Sequence, residues 1–428
     1  MPRVALVYPY FRTRSATELL FPPLGEAALA SQLVKLGIEV RIFDCTFQTP
    51  NRVRKALSAY APDLVGIYCM VTLSRSTFRL AKTIRRDMPG TLLVAGGPLP
   101  TLYPEHFLGA FDAVFQGEVD LSFPRFCRDY FESGRRLEAL PLPSYAGLNL
   151  EGGGLRVNNP QVHHTEKELE TFPLPERSQF DHAAYQAVWS RQDGSKTTSL
   201  MTTLGCPFSC DFCSRPVFGS LFRRRNLDGV FEEVAQVRAL GYDSLWIADD
   251  NFTLDLAFLR RFCERIASEQ LQWSCLSRVT ELTEEVTLMM KAAGCRRVYL
   301  GLETGSQETL NLMNKKATVD EGVEAVRLFH KAGIEVAAFF IVGYPEESLA
   351  SIESTFRLAL TLPLDYISFN VPFPLPGSQL FERVSGIDRN KDWNTENEVT
   401  FVYSSEFDPR WLRQRIRQTL QAFAARRP

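Results

Sequence analysis

"LGCPFSCDFCSRP", residues 204–216, packs three of the chain's nine cysteines into eight positions. Cys206, Cys210 and Cys213 follow a C-x3-C-x2-C spacing, with Phe212 just before the last. Three chemistries use crowded thiols. A structural zinc site wants four protein ligands, usually in two separated pairs. No second C-x2-C exists here, and Cys45, Cys69, Cys127, Cys263, Cys275 and Cys295 stand singly, mostly in apolar runs that suit small core residues. A thioredoxin-like redox pair would use Cys210 and Cys213 and leave Cys206 without a task. An iron–sulfur cluster is the third. Four irons need four ligands, normally thiolates. Three thiolates on one loop hold three irons and leave the fourth open to a non-protein ligand.

Around this loop the chain alternates between strand and helix. "SLMTTL" (199–204) reads as a strand that runs into the cysteines. After it come "LDGVFEEVAQVRALG" (helix), "DSLWIAD" (strand), "LDLAFLRRFCERIASEQ" (helix) and "QWSCLSRV" (strand). "LTEEVTLMMKAAG" is a helix with Thr283 as N-cap and Gly294 past its end. "RRVYLGLE", "EVAAFFIVG" and "DYISFNV" are further strands, separated by helices over "TVDEGVEAVRLFHKAG" and "ESLASIESTFRLAL". Six such units predict a parallel sheet with right-handed crossovers, curled into a partial (β/α)6 barrel. Functional groups in such folds gather at the carboxyl ends of the strands. Asp249 and Asp250, Arg278, Glu303, and Ile341–Gly343 all fall there. The plain use of the acid pair is to cap the next helix. A guanidinium at 278 suits a carboxylate, a carboxylate at 303 suits two hydroxyls, and Gly343 suits a flat group lying close to the backbone.

Residues 1–135 carry a separate α/β pattern. "RVALVYP", "EVRIFDC", "LVGIYCMV", "TLLVAGG" and "DAVFQGE" read as strands between amphipathic helices. Near-continuous apolar strands of this kind predict a doubly wound, Rossmann-like open sheet. The Gly96–Gly97 pair ends one strand, where a large ligand can approach the backbone. A linker over 136–195 and a short helical tail over 386–428 complete the expected organisation.

Forty-eight basic and fifty acidic residues give a net charge of −2. The longest basic cluster is Arg223–Arg225, so no nucleic-acid surface is expected. The first residues lack the pattern of a signal peptide, and no run reaches about 18 apolar residues, so no membrane span is expected. An odd number of cysteines without a secretion signal argues against a disulfide scaffold. A cytoplasmic location follows as the expectation.

The cysteine loop resembles the signature of the radical S-adenosylmethionine (SAM) superfamily. That resemblance implies a 4Fe-4S cluster on Cys206, Cys210 and Cys213, with SAM on the open iron. It places Phe212 beside SAM, Asp249 or Asp250 near its amino group, Arg278 and Glu303 at its carboxylate and ribose, and Ile341–Gly343 along adenine. The first block, with "FPPLG", "AGGPLPTLYPE" and "GEVD", resembles the cobalamin-binding domain of one large subfamily. "LETFPLPERSQFD" and "PFPLPGSQLFERV" resemble its linker and closing segment. The subfamily includes class B radical SAM methyltransferases and the anaerobic cyclase of chlorophyll synthesis. It implies cobalamin, with Thr72, Gly96 and Gly97 as candidate contacts.

One departure stands out. Members that hold cobalamin through an imidazole use a D-x-H-x-x-G loop after the first strand. Here that loop reads "YPYFRTRSATELLFPPLG" and has no histidine, so cobalamin is expected without one. The expected activity is hydrogen abstraction from an unactivated carbon of a small-molecule biosynthetic intermediate, followed by cobalamin-dependent methyl transfer. The alternative is a cobalamin-independent dehydratase, cyclase or epimerase whose first domain is a scaffold. An electron donor such as flavodoxin or ferredoxin is implied. His163, His164, His182 and His330 read as surface or capping residues. The tail helix places Trp411, Leu412, Ile416, Leu420 and Phe423 on one apolar stripe, which predicts packing on the barrel.

Overall fold

The computed structural model describes residues 1–12, 20–213, 217–387 and 401–426. The loop after the first strand, the end of the cysteine motif and the start of the tail thus lie partly outside the described residues. Two compact units emerge. Met1–Thr198 with Asp228–Tyr242 forms one; Ser199–Leu227 with most of the chain after Asp243 forms the other.

The first unit is built on a seven-stranded sheet. Its strands are β1 (Arg3–Tyr8), β2 (Glu39–Asp44), β3 (Leu64–Tyr68), β4 (Leu92–Gly96), β5 (Ala113–Phe115), β6 (Leu148–Gly152) and β7 (Leu155–Asn158), in the order β2-β1-β3-β4-β5-β6-β7. The first five pair in parallel, with Val4 opposite both Val40 and Leu64. Strand residues alternate between two cores, as the pleat requires. Val4, Leu6, Leu64 and Val94 pack on one face, and Ala5, Val7, Val65 and Ala95 on the other. The direction of winding reverses between β1 and β3, the point outside which such sheets bind ligands. The expected linker is more structured than its composition implied. Residues 148–158 add an antiparallel hairpin to the sheet, and His182–Asp193 is a helix capped by Asp181. Prolines and glycines around these short elements masked them. Within this unit Arg177 (1% exposed) pairs with Glu233 (0%).

The second unit holds the barrel strands. β8 (Thr197–Leu200) is followed by a small ladder of β9 (Thr203–Leu204) with β10 (Arg223–Arg224). Then come β11 (Ser244–Ile247), β12 (Gln272–Ser277), β13 (Cys295–Glu303), β14 (Glu335–Ile341) and β15 (Tyr366–Asn370). The sheet order β15-β14-β13-β12-β11-β8 follows the chain, and β11 to β15 pair in parallel. This is the partial (β/α)6 barrel. The local signals hold: Thr283 caps its helix through the Val286 amide, and Thr318 and Glu321 form a reciprocal capping box. The tail helix Pro409–Ala424 buries Leu412, Ile416 and Phe423. Leu412 and Ile416 join Val342, Ile352 and Phe356 in one cluster, and Arg415 grips Glu353 at 2.6 and 2.8 Å. Leu420 leaves the expected stripe and is 39% exposed.

Candidate active site

The cysteine loop starts where β9 ends. Gly205 has φ +80°, and a Cβ there would sit 2.2 Å from the Leu221 carbonyl oxygen. Only glycine permits that approach. The Cys206 amide donates to Gly219 (3.3 Å), and the Cys213 amide to Cys210 (3.2 Å). Cys206, Cys210 and Cys213 are half-buried thiols outside any disulfide, whereas the other six cysteines are buried. Burial pushes the Cys206 thiol up, and the Asp250 charge pushes it further.

Asp211, between the second and third thiols' neighbours, fastens this loop. Its amide donates to Met313 (3.1 Å), and its carbonyl accepts from the Leu380 amide (2.9 Å). Its carboxylate accepts from the Tyr344 hydroxyl and from Arg383 Nη1 at 2.9 Å. Burial outweighs both contacts and pushes that carboxyl up. Phe212 and Ile341 pack together with Met313, Tyr344 and Leu380.

The rim residues divide by their partners. Asp249 is fully buried, and its carboxylate accepts from the Thr202 amide (2.7 Å) and from the Thr202 and Thr203 hydroxyls (2.5 and 2.7 Å). It ties the ends of β8 and β11 together and has burial pushing it up to about 6. Asp250 is exposed and acts electrostatically on Cys206. Of the acid pair, Asp250 therefore faces the cluster loop. Arg278 stacks over Phe208, 3.7 Å from its centroid, and Nη1 donates to Cys210 Sγ at 3.5 Å. Its Nε is buried with no hydrogen-bond partner among the described residues. Glu303 ends β13 in the left-handed region (φ +63°) and pairs with Lys315, both side chains 8% exposed. Left-handed backbone is strained for a non-glycine residue. Gly301 makes room for the pair, since its Cβ would meet Glu303 Oε1 at 2.4 Å and Lys315 Nζ at 2.8 Å.

Gly343 is used differently from the expectation. Its φ is +79°, and a Cβ would meet Leu412 and Phe401, each at 2.9 Å. The close approach that demands glycine is made by the C-terminal segment, not left bare for a flat ligand. Glu347 accepts from the amides of Gly343 and Tyr344 (2.8 and 3.0 Å) and holds this turn.

In the first unit, the carboxyl edge of the sheet is aromatic and acidic. The rings of Tyr8 and Tyr68 lie 5.4 Å apart at the ends of β1 and β3. Gly97 has φ +104°, and a Cβ there would meet the Cys69 carbonyl oxygen at 2.8 Å and the Tyr68 ring at 2.9 Å, so its glycine too is explained within the chain. Gly96 has nothing within 4 Å of a built Cβ, and Thr72 is exposed. The histidines correct one expectation. His164 is buried, and its amide donates to Glu118 at 2.8 Å; His163 Nδ1 lies 3.2 Å from the same carboxylate. His182 bridges Tyr242 (2.8 Å) and the Arg177 carbonyl (2.7 Å). Only His330 is exposed on a helix as expected.

Residues 200–359 match the description "Radical SAM superfamily", and residues 14–126 match "B12 binding domain". The chain is 31% identical over 370 residues to an uncharacterized methyltransferase of Pyrococcus horikoshii, across 84% of this chain and 78% of that protein. The chain belongs to the radical SAM superfamily, in its B12-binding branch. A second relative is the anaerobic magnesium-protoporphyrin IX monomethyl ester cyclase of Rubrivivax gelatinosus, 30% identical over 416 residues, 93% of this chain and 73% of the cyclase. Among solved structures, the radical S-adenosylmethionine methyltransferase TsrM from Kitasatospora setae, with cobalamin and a 4Fe-4S cluster, superposes with a TM-score of 0.71 at 20% identity. It covers 89% of this chain and 77% of that one, and the likeness is one of fold.

The cofactors of this radical SAM enzyme are a 4Fe-4S cluster, SAM and cobalamin, and the residues present fit them. Three half-buried thiols on one loop are a soft donor set. Among the described residues no three His, Cys, Asp or Glu side chains gather as ligands of a single ion. A cubane gives each thiolate its own iron, so its ligands stand farther apart. The buried, partnerless Nε of Arg278 beside Cys210 suits an anionic group at the open iron. Gly96, paired with Tyr68 across the sheet and with nothing within 4 Å of a built Cβ, leaves room for a large flat group on the first unit. Sequence reasoning missed Asp211, Lys315, Tyr344, Glu347 and Arg383. Of these, Asp211 lies inside the cysteine motif and Arg383 inside "PFPLPGSQLFERV", but neither stretch says what the side chain meets. Among the described residues no helix is long and apolar enough to cross a membrane.

Proposed function

We propose that this chain is a cobalamin-dependent radical SAM C-methyltransferase acting on an unactivated carbon of a small-molecule biosynthetic intermediate. One observation carries the reading: a radical SAM match and a B12-binding match lie in tandem in one chain. The bound cofactors supply the chemistry, an electron that splits SAM to a 5'-deoxyadenosyl radical and a carrier for the methyl group. Cys206, Cys210 and Cys213 hold the cluster. Arg278 orients the SAM carboxylate, Asp250 its amino group and Glu303 its ribose. Phe212 and Ile341 line the same side, along adenine. Thr72 and Gly96 contact cobalamin. Buried Asp249 and Asp211 position the loops that carry these groups. A flavodoxin or ferredoxin supplies the electron.

Product analysis tests the reading. Anaerobically reconstituted protein should consume two SAM per methylated product and release both S-adenosylhomocysteine and 5'-deoxyadenosine. 5'-Deoxyadenosine alone, with no retained corrinoid after desalting, would transfer the protein to the cyclase or dehydratase reading.

A further inference from the structure

The two faces of the barrel sheet are buried unequally. Register partners in a sheet share a face, and successive residues alternate between faces. Ile247, Cys275, Val298 and Val336 lie in one register row across β11–β14, and each is 0% exposed. This is the face that carries the helices. Trp273, two residues before Cys275, meets Phe262 of helix Leu256–Ile266 at 5.7 Å between ring centroids. The intervening residues face the inside of the barrel. Trp246, Leu276, Phe339 and Ser368 are only half-buried there, and Asn370 is exposed. A filled barrel buries its inner layers as a packed core. This one leaves them accessible.

The chemistry of that inner face is narrow. Tyr299, itself 6% exposed, meets the Trp246 ring edge-on at 4.6 Å between centroids. On its other side it stacks on Phe339 at 5.8 Å, with 24° between the ring planes. The buried tyrosine thus backs two accessible rings. Ser368 pairs in register with Phe339, and Asn370 with Ile341, so neutral polar groups stand on the next strand. Among the described strand residues, the charges on this face are Arg297 and Glu335. They neutralise each other at 2.5 and 2.8 Å, and Arg297 Nη1 donates to the Tyr299 hydroxyl at 3.3 Å. An anionic group entering between these strands would meet no unpaired cation on them.

We propose that the inner face receives the substrate as a flat, uncharged aromatic or conjugated ring, packed on Phe339 and Trp246 with its polar edge toward Ser368 and Asn370. Tyr299 is a positioning residue that holds the two rings. Ile341, the register partner of Asn370, is assigned above to the SAM side, so a ring held here lies beside the radical source. The inference names the substrate class of the methyl-transfer site and rests on that reading for its use.

The test reads binding rather than turnover. The full chain, reconstituted anaerobically with iron and sulfide, is dialysed to equilibrium against 2-naphthol and against decahydro-2-naphthol. The two probes share a carbon skeleton and a hydroxyl and differ in flatness. Contact with two rings should make wild type hold naphthol about tenfold more tightly than its saturated partner. Phe339→Leu and Trp246→Leu should each reduce that preference to about threefold. No preference in wild type, or one that survives both substitutions, overturns the proposal. If either leucine variant does not fold, the near-isosteric Ser368→Cys decides. Naphthol should slow iodoacetamide alkylation at position 368 and decahydronaphthol should not, and equal rates overturn the proposal. Wild type that prefers naphthol yet releases 5'-deoxyadenosine without methylated product supports the ring site and overturns the methyl-transfer reading instead.

Discussion

Replacing Asp211 by Ala should make the protein lose iron faster, without touching a cysteine. Asp211 is 3% exposed and fastens the cysteine loop to the segment around Leu380 through its side chain. Two hydrogen bonds to a carboxylate are lost in the variant. Each is worth roughly 1.5–3 kcal/mol when buried. The Arg383 side chain is 35% exposed, so its share falls to roughly 1 kcal/mol or less through solvent screening. The Tyr344 hydroxyl is left buried without its acceptor and accounts for about 2 kcal/mol. The total of about 2–3 kcal/mol corresponds to roughly 30- to 150-fold in the opening equilibrium of the loop. The backbone bonds to Met313 and Leu380 remain, so the cluster should still assemble. The assay is iron release to a ferrous chelator from anaerobically reconstituted protein, followed to completion. Asp211→Asn keeps one acceptor and should fall between wild type and Asp211→Ala. Iron release from Asp211→Ala at the wild-type rate would refute the idea that this carboxylate clamps the loop.

Three further outcomes follow from buried groups. Glu26 has a carboxyl raised from 4.5 to about 8, so the folded state keeps its proton where the unfolded state has lost it. Its stabilising contribution is complete below about pH 4.5 and is lost as pH rises through about 8, a change of ~5 kcal/mol at 1.36 kcal/mol per pKa unit. Melting of apo wild type against Glu26→Gln between pH 5 and 9 should show wild type losing ground up to about pH 8 and then levelling off, and parallel curves would contradict this. Arg177→Met strands the fully buried Glu233 and should cost ~3–5 kcal/mol in chemical denaturation at pH 7, with Arg177→Met/Glu233→Met recovering most of it. Gly343→Ala forces a Cβ onto Phe401 and Leu412 at 2.9 Å with φ +79°. It should cost ~1–3 kcal/mol and expose the C-terminal helix to limited proteolysis, and a resistant variant would count against the packing described.

Much of this molecule is written in local patterns. The barrel strands are short apolar runs separated by capped helices, and Thr283 and Thr318 cap as their neighbours imply. The cysteine loop is legible because its ligands lie within one turn of chain. Residues that act through long-range contact are not. Lys315 meets Glu303 across a loop, and Arg383 reaches Asp211 from 172 residues away. The hairpin of β6 and β7 was hidden because half of it is exposed and glycine-rich. The glycines mislead for a related reason. Gly97 and Gly343 looked like ligand-facing positions, yet tertiary neighbours account for both.

The most direct measurement is SAM turnover by the reduced, reconstituted protein, read as 5'-deoxyadenosine by chromatography. Wild type should release it, and a variant with Cys206, Cys210 and Cys213 all changed to Ala should release none. Turnover in that triple variant, or a wild-type four-iron centre that leaves SAM intact under reduction, would contradict the account.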